Sequence, residues 1–278
     1  IVQLPNMYQK SDVQILIATM NRTDFDFLDA MFVFSDFSDF DLLVINQTTQ
    51  DKQLVSNLEN VKVVNSFNKG LSKSRNLAIE LATKPLLIFT DDDVVFQPGF
   101  ESHILKAFNS DNNHDGFRFE FLNGKGKFAK KYPKHFEEKL SQFEILNTSS
   151  VELVFKRESI QRVNLKFDEN FGLGTNFSMG EEAIFVAEAV KKGLIIGFFP
   201  EVLVAHAHLS TSQRTAVPMQ YFIHSAVFYR IYGKMYLFWI ALKLFFDLKH
   251  RKVRFREIFK MLNQSLKGKR AYVNHTRL

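Results

Sequence analysis

Three adjacent carboxylates, Asp91, Asp92 and Asp93, lie between two apolar runs in the stretch LLIFTDDDVVF. Side chains at alternate positions of an extended chain point to the same side, so Asp91 and Asp93 can act together. Two such carboxylates can hold a hard divalent cation, Mg²⁺ or Mn²⁺, which keeps several waters and binds substrate phosphates. A metal held in this way can neutralise a departing diphosphate. The alternative interpretation is a solvated acidic turn without a metal.

Several short apolar runs rich in β-branched residues occur along the N-terminal half, and they predict buried strands. The predicted strands cover residues 13–18, 40–46, 61–66 and 85–90. Helical periodicity predicts helices at 24–34, 71–83 and 181–192. This alternation is typical of an α/β domain with a mostly parallel sheet flanked by helices. Ligands of such sheets bind beyond the carboxyl ends of the strands, which is where the three aspartates lie.

The chain has 278 residues, a formal net charge of +6 and a sequence pI of about 9.3. A hydrophobic fraction of 46% is typical of a globular protein, and the length suits one large domain with an appendage. The absence of cysteine excludes disulfides and thiolate metal sites and is consistent with a reducing cytosol. No N-terminal signal peptide is recognisable, so we expect a cytoplasmic protein. The modest basic excess suits an anionic partner.

The composition changes near Pro218, where the chain becomes aromatic, apolar and basic together. The uninterrupted apolar run at 235–241 is far shorter than the roughly 20 residues needed to span a bilayer. We therefore predict a catalytic domain at 1–217 and a helical, amphipathic extension at 218–278. We expect this extension to pack on the domain, to lie at the inner face of the cell membrane, or to form a dimer contact.

Six segments in order along the chain resemble the characteristic elements of family-two glycosyltransferases with the GT-A fold. They are ILIATMNR (15–22), DLLVINQTTQD (41–51), NKGLSKSRNLAIELAT (68–83), LLIFTDDDVVFQPGF (86–100), FDENFGLGTNFSMGEEAIF (167–185) and VLVAHAHLSTS (202–212). No single segment is specific, but six in the right order form a strong pattern. The resemblance covers about residues 14–212.

The resemblance implies an inverting enzyme that moves a sugar from a nucleoside-diphosphate-sugar to an acceptor hydroxyl. By analogy, Asp91 and Asp93 bind the metal, and Asp91 and Asp92 contact the donor. The family's general base is the aspartate of a G-E-D segment, which here reads G-E-E, so the aligned base is Glu182 with Glu181 in support. Glutamate is one methylene longer than aspartate, which alters the reach of the base. Because two glutamates in a first helical turn also gain from the helix dipole, a purely structural role is the alternative.

The resemblance also implies a donor pocket and further metal ligands. Apart from the aspartates, the donor-binding residues expected are Thr19, Asn21, Arg22, Asn46, Gln47, Lys73 and Arg75. Asn46 and Gln47 replace the family's usual paired aspartates. Their amides can still pair with a pyrimidine edge, so we expect a UDP-sugar first, with GDP- and dTDP-sugars open. His206 and His208 are candidate metal ligands, although a histidine on a strand is more often structural. For Lys73 the alternative is a solvated helix face.

The expected acceptor is a saccharide or a lipid-linked saccharide in bacterial capsule or exopolysaccharide biosynthesis. A nucleic-acid-binding module would use the basic charge, but no nucleic-acid motif is recognisable and simple binding gives the aspartates no role. A metal-dependent nuclease or phosphotransferase would use the aspartates and leave the G-E-E segment unexplained. A catalytically inactive GT-A-like binding protein is the third alternative, because two of the family's elements are altered.

Overall fold

The computed structural model describes residues 7–110, 113–206 and 214–276 of the chain. Within these residues the strands are β1 (Val13–Met20), β2 (Asp41–Gln47), β3 (Val61–Ser66), β4 (Leu86–Asp91), β5 (Val94–Phe96), β6 (Gly116–Asn123), β7 (Leu153–Lys156) and β8 (Ile196–His206). They form one sheet in the order β3-β2-β1-β4-β7-β6-β8-β5. The four strands expected in the N-terminal half are confirmed, each within a few residues of its predicted bounds.

The helices of the described residues are α1 (Asp26–Met31), α2 (Leu71–Leu81), α3 (Phe100–Ser110), α4 (Gln142–Leu146), α5 (Arg157–Arg162), α6 (Glu181–Lys191), α7 (Val217–Tyr232), α8 (Tyr236–Lys249) and α9 (Ile258–His275). The predicted helices correspond to α1, α2 and α6. The helical character expected after residue 217 is also confirmed, because α7, α8 and α9 occupy nearly all of that region.

Strands β1 to β4 form the parallel half of the sheet, in which β1 pairs with both β2 and β4 and β2 pairs with β3. The register places Ala18 opposite Asp91 and Thr19 opposite Asn46. Because the carboxyl ends of parallel strands meet at one edge, the polar residues that follow these strands are brought together. The predicted donor pocket and the predicted metal site therefore share this edge.

The other half of the sheet is mixed, since β7 is antiparallel to β4 and β6, and β5 is antiparallel to β8. Strand β6 runs parallel to β8. Strands β5 and β7 were not predicted, because with only three and four residues they are too short for a recognisable pattern. The pairing of β5 with β8 sets Val94 opposite His206 and so brings the last residue of β8 to the aspartates.

The sheet is buried on both faces, as β1 illustrates. Ile15 and Ile17 belong to a core cluster that includes residues of α1 and α3, whereas Leu16 belongs to the opposite cluster with residues of α2 and α6. Successive side chains of a strand point to opposite faces, so a continuous apolar run fits a strand covered by helices on both sides. This layering holds the strand ends in fixed relative positions.

The C-terminal helices pack against the loop that leads into α6. The rings of Phe177 and Phe222 are stacked with their centroids 5.6 Å apart, and Phe171 lies 5.4 Å from Tyr272. Gly268 allows α9 to approach α7 closely, because a Cβ there would lie 1.9 Å from the carbonyl oxygen of Phe222. Within the part of the chain described, no helix has the length and apolar character needed to cross a membrane.

Candidate active site

The buried guanidinium of Arg75 is the centre of a cluster of carboxylates at the edge of the sheet. Its Nη2 donates to Asp91 Oδ1 at 3.1 Å and to Ser150 Oγ at 2.7 Å. Its Nη1 donates to Glu181 Oε1 at 3.3 Å and to Glu182 Oε1 at 3.1 Å. Arg75 lies in α2, Asp91 ends β4, and the two glutamates begin α6. One side chain therefore joins the predicted metal-binding strand end to the predicted base.

Three carboxylates face this one cation, and burial shifts the pKa of two of them, Asp91 and Glu181. Burial raises the pKa of Asp91, and the nearby charge of Glu182 adds to the rise while Arg75 opposes it. Burial, followed by the charge of Glu182, raises the pKa of Glu181 to about 8. Burial alone would lower the pKa of Arg75, but Asp91 and the two glutamates together raise it. The cluster has surplus negative charge, which favours a proton on Glu181 and a cation near its open side.

Glu181 is sealed from solvent, whereas Glu182 is not. The Glu181 side chain is 4% exposed and its Oε2 has no hydrogen-bond partner among the described residues, while the Glu182 side chain is 16% exposed. Gly172 forms part of the seal, since its φ of +100° suits glycine and a Cβ there would lie 3.1 Å from Glu181 Cδ. Ser72 Oγ fixes this loop by donating to the carbonyl of Phe171 at 2.7 Å. Of the two glutamates, Glu182 is the one with access to a substrate.

Asp92 is held by the end of β1 and by the turn that follows it. Thr19 Oγ1 and Arg22 Nε, the latter at 2.7 Å, both donate to Asp92 Oδ2. Asn21 adopts a left-handed conformation with a φ of 56°, which asparagine tolerates better than most residues and which turns the chain towards Arg22. Asn46 then fixes Arg22, accepting from its N–H at 3.1 Å and donating to its carbonyl at 2.9 Å. The structure thus brings all five of these predicted donor-binding residues together.

Asp93 lies beside the end of β8, and His206 Nε2 is 3.1 Å from Asp93 Oδ1. His208, the other predicted ligand, is outside the described residues. In the described ranges, no group of three or more acidic, cysteine or histidine side chains is arranged to hold a metal. Asp93 and His206 nevertheless offer one carboxylate and one imidazole next to a negatively charged cluster. Such a pair fits a cation that takes its other ligands from water and a substrate diphosphate.

The amides of Asn46 and Gln47 have different surroundings. Asn46 is fully buried, and its Nδ2 also donates to Asn65 Oδ1 at 3.0 Å, so its hydrogen-bonding capacity is used within the protein. Gln47 Oε1 accepts from the backbone N–H of Gly70 at 2.8 Å, and its Nε2 makes no hydrogen bond to the described residues. Lys73 is exposed on α2, as expected of a solvated helix face. Gln47 is therefore the more available of the two amides for a ligand.

Sequence reasoning did not find Ser150 or the charged network behind it. Glu152 accepts hydrogen bonds from Arg118 Nε at 2.8 Å, Lys130 Nζ at 2.9 Å and the Tyr132 hydroxyl at 2.9 Å. Burial alone would raise the pKa of Glu152, but Lys130 and Arg118 lower it. The network fixes the short segment that presents Ser150 to the active-site arginine. The one signal in the sequence was a charged residue, Glu152, next to apolar neighbours.

Residues 14–163, more than half of the chain, match the family model described as glycosyl transferase family 2. The chain belongs to this family. Among solved structures, this family 2 chain is similar to the S. aureus TarS fragment 1–349, with a TM-score of 0.60 and 14% identity over 92% of this chain and 80% of that one. The same fragment in complex with UDP-GlcNAc gives a TM-score of 0.59 at 16% identity, covering 91% and 79% of the two chains. The complex of this fragment with UDP gives a TM-score of 0.58 at 14% identity, covering 92% of this chain and 80% of that one.

Curated protein sequences provided no match to the chain. At identities this low, the structural likeness shows a shared fold. The family match and the mixed sheet with flanking helices confirm the GT-A expectation and the prediction of a nucleotide-sugar glycosyltransferase. The metal ligands, donor contacts and base assigned above by resemblance remain predictions.

Proposed function

We propose that this family 2 protein is an inverting hexosyltransferase that uses a nucleoside-diphosphate-sugar, first of all a UDP-sugar. The observation that carries the proposal is the guanidinium of Arg75, which lies within 3.3 Å of carboxylates from both the end of β4 and the start of α6. The first of these elements faces the predicted donor side and the second carries the predicted base. Donor binding and deprotonation of the acceptor would therefore occur next to each other.

In this proposal Glu182 is the general base. Its Oε1 is held by Arg75 at 3.1 Å, which leaves Oε2 to accept the proton of an acceptor hydroxyl. The hydroxyl oxygen then attacks the anomeric carbon as the bond from that carbon to the diphosphate breaks, and the configuration inverts. Glu181, sealed and favouring its neutral form, limits the negative charge beside the incoming nucleophile. Arg75 keeps Glu182 oriented and is a positioning residue.

The donor would bind along the ends of β1, β2 and β4. Arg22 and Thr19 orient Asp92, which is placed to hydrogen-bond the ribose or the sugar. Asp93, with His206 and Asp91 nearby, would hold Mn²⁺ or Mg²⁺. When bound there, the metal would offset the charge of the diphosphate leaving group. The TarS complexes with UDP-GlcNAc and UDP favour a uridine donor as the first to test, because they share this fold.

The acceptor we propose is a hydroxyl of a saccharide or of a lipid-linked saccharide in capsule or exopolysaccharide synthesis. The open side of the carboxylate cluster at Glu182 supports an acceptor that is presented from solvent.

The test is a thermal-shift and calorimetric screen of UDP-, GDP- and dTDP-sugars, each with Mn²⁺ and with EDTA. We expect metal-dependent stabilisation by one nucleotide class, followed by transfer whose product has the opposite anomeric configuration by NMR. Retention of configuration would exclude Glu182 as a direct base. A lack of response to every nucleotide-sugar would favour a binding protein that lacks transferase activity.

A further inference from the structure

The connection between α8 and α9 carries an exposed surface that sugar transfer does not use. We name residues 245–260 the basic-aromatic turn. Phe255 and Phe259 keep 80% and 84% of their surface exposed, and Phe245 and Phe246 keep 60% and 40%. Four exposed phenylalanines within sixteen residues are more than the isolated apolar side chains usual on protein surfaces. Such clusters mark surfaces that bind a partner or a membrane.

The same turn carries a group of exposed cations. The exposed basic residues are Lys249, Arg251, Lys252, Arg254, Arg256 and Lys260. None of them forms a salt bridge within the described residues, and the salt bridges of the C-terminal helices are instead at Arg230 and Lys243. Exposed cations and exposed phenylalanines thus occur together.

The turn has a defined shape. The carbonyl of Asp247 accepts hydrogen bonds from the N–H groups of Lys252 at 2.8 Å and Val253 at 3.3 Å. The carboxylate of Asp247 is held by the Tyr221 hydroxyl at 2.9 Å and by Lys243 Nζ at 2.8 Å. The Val253 side chain is buried at 3% exposure. This packing below the turn presents the phenylalanines and cations outward.

Helix α9 continues the apolar surface along one face. The exposed apolar residues of this face are Phe259, Leu262 and Leu266, spaced three and four residues apart, and Phe255 lies in the 3-10 turn that precedes the helix. Residues with this spacing lie on the same side of a helix. The opposite side is buried against α7, through residues that include Met261, Gly268 and Tyr272. Helix α9 therefore buries one side against the protein and exposes a second apolar stripe on its outer side.

Charge is strongly segregated between the two regions of the chain. Residues 218–278 contain 13 lysines and arginines against 2 acidic residues, a net charge of +11. Residues 1–217 contain 23 lysines and arginines against 28 acidic residues, a net charge of −5. The attraction to an anionic surface is therefore concentrated in the C-terminal helices, and the rest of the protein would be repelled by it.

We propose that the basic-aromatic turn and the outer stripe of α9 dock on a bilayer that contains anionic lipids. Such a bilayer offers a negative surface for the six cations and an apolar phase for the phenylalanines and leucines. A nucleic acid offers phosphates but no apolar phase for the leucines of the stripe. A symmetric contact with a second copy would place the two groups of exposed cations face to face, which is unfavourable. The proposal is independent of the sugar-transfer reaction.

The experiment is flotation of the full chain with vesicles of phosphatidylcholine alone, or with an equal part of phosphatidylglycerol. We expect binding to the anionic vesicles only, weakened as salt screens the cations. The double variants Phe255→Ser/Phe259→Ser and Arg254→Glu/Arg256→Glu should each lower partitioning by about tenfold or more. The matched control is Phe34→Ser/Phe128→Ser, at residues that are 58% and 57% exposed elsewhere, and it should bind as the unaltered chain does.

Three results would overturn the proposal. The first is equal vesicle binding by the Phe255→Ser/Phe259→Ser variant and the unaltered chain. The second is light scattering that shows a dimer which this variant dissociates, with no vesicle binding by either protein. The third is binding of a single-stranded oligonucleotide that both double variants lose, again without vesicle binding. Because none of these assays contains a sugar donor, failure of the membrane-docking proposal is distinguishable from failure of the proposed transferase activity.

Discussion

Arg75 Nη1 lies 3.1 Å from Glu182 Oε1, and this contact joins the parallel sheet to the helix that carries the proposed base. The other terminal nitrogen of the guanidinium donates to Asp91 and Ser150. The two nitrogens of the planar guanidinium fork thus bind different elements of the fold. A lysine would offer one point charge in place of this fork. The arginine therefore fixes the end of β4 relative to the start of α6, although Arg75 and Glu181 are 106 residues apart along the chain.

Replacement of Arg75 by methionine should destabilise the fold. The change leaves the buried Glu181 and the partly exposed Asp91 and Glu182 clustered without their cation, and loss of one partner of a buried ion pair costs about 3–5 kcal/mol. We expect the free energy of unfolding in urea at pH 7 to fall by about 3 kcal/mol, with a smaller loss at pH 5 because the raised pKa of Asp91 favours its protonation there. The control is Lys73→Met, at an exposed position of the same helix, which should change stability by less than about 0.5 kcal/mol. Equal effects of the two substitutions would contradict this account of Arg75.

Glu182→Gln should abolish transfer and retain donor binding. Glutamine keeps the size of the side chain and an acceptor for Arg75 but cannot take the proton of the acceptor hydroxyl. Loss of a general base typically lowers kcat by about 10²–10⁴-fold. The measurement is kcat for transfer beside the Kd of the donor by calorimetry, with Glu80→Gln on the exposed face of α2 as the control. Full activity of the Glu182→Gln enzyme would falsify the assignment of the base.

The sequence predicted the strand ends well and the connections between them poorly. The end of β4 could be located because a run of buried aliphatic residues stops at charged ones. Ser150 could not be found, because a lone serine has no distinctive sequence pattern and its contact with Arg75 exists only in the folded protein. The expected contact of Arg75 with the donor stays a prediction, and its side chain is only 3% exposed, among carboxylates from other elements of the fold. Only the tertiary structure shows how many acidic groups share one cation.

The stability of the protein should depend on Glu181 between about pH 4.5 and pH 8. The pKa of Glu181 is raised to about 8 in the folded protein from 4.5, mainly by burial. The folded state thus binds a proton that the unfolded state has lost within this window. The contribution of this proton on Glu181 to the free energy of unfolding is complete below pH 4.5 and is lost as the pH rises towards 8. Glutamine resembles the neutral acid, so Glu181→Gln should cost on the order of 3 kcal/mol less at pH 8.5 than at pH 5.5, relative to the unaltered protein.

Urea unfolding at both pH values measures this difference. Glu158→Gln on α5 provides the control for a change of charge at a glutamate outside the cluster. A Glu181→Gln protein whose stability follows the same pH curve as the unaltered protein would show that Glu181 is ionised throughout the window.

Removal of the carboxylate at position 93 should uncouple donor binding from the metal. Asp93→Asn keeps the side-chain size but gives a weaker ligand for a hard cation. We expect the Mn²⁺-dependent part of donor affinity to fall by about tenfold or more, and binding in EDTA to be unchanged. Asp29→Asn, at an exposed position of α1, is the control for the loss of one negative charge. If the Asp93→Asn enzyme binds the donor with the same Mn²⁺ dependence, the metal is held elsewhere or is not used.

The two neighbouring amides at the end of β2 should respond differently to substitution. Asn46 is fully buried and bonded to Arg22 and Asn65, so Asn46→Ala leaves their polar groups unpaired and should destabilise the fold by about 2 kcal/mol. Gln47→Glu keeps the oxygen that accepts from Gly70 and removes only the Nε2 donor. We therefore expect Gln47→Glu to retain stability and to weaken UDP binding by about tenfold, the worth of one hydrogen bond to the base. Gln53→Glu introduces the same charge at an exposed position nearby, so an equal loss of UDP affinity in that variant would indicate repulsion of the diphosphate and would exclude Gln47 as a reader of the base.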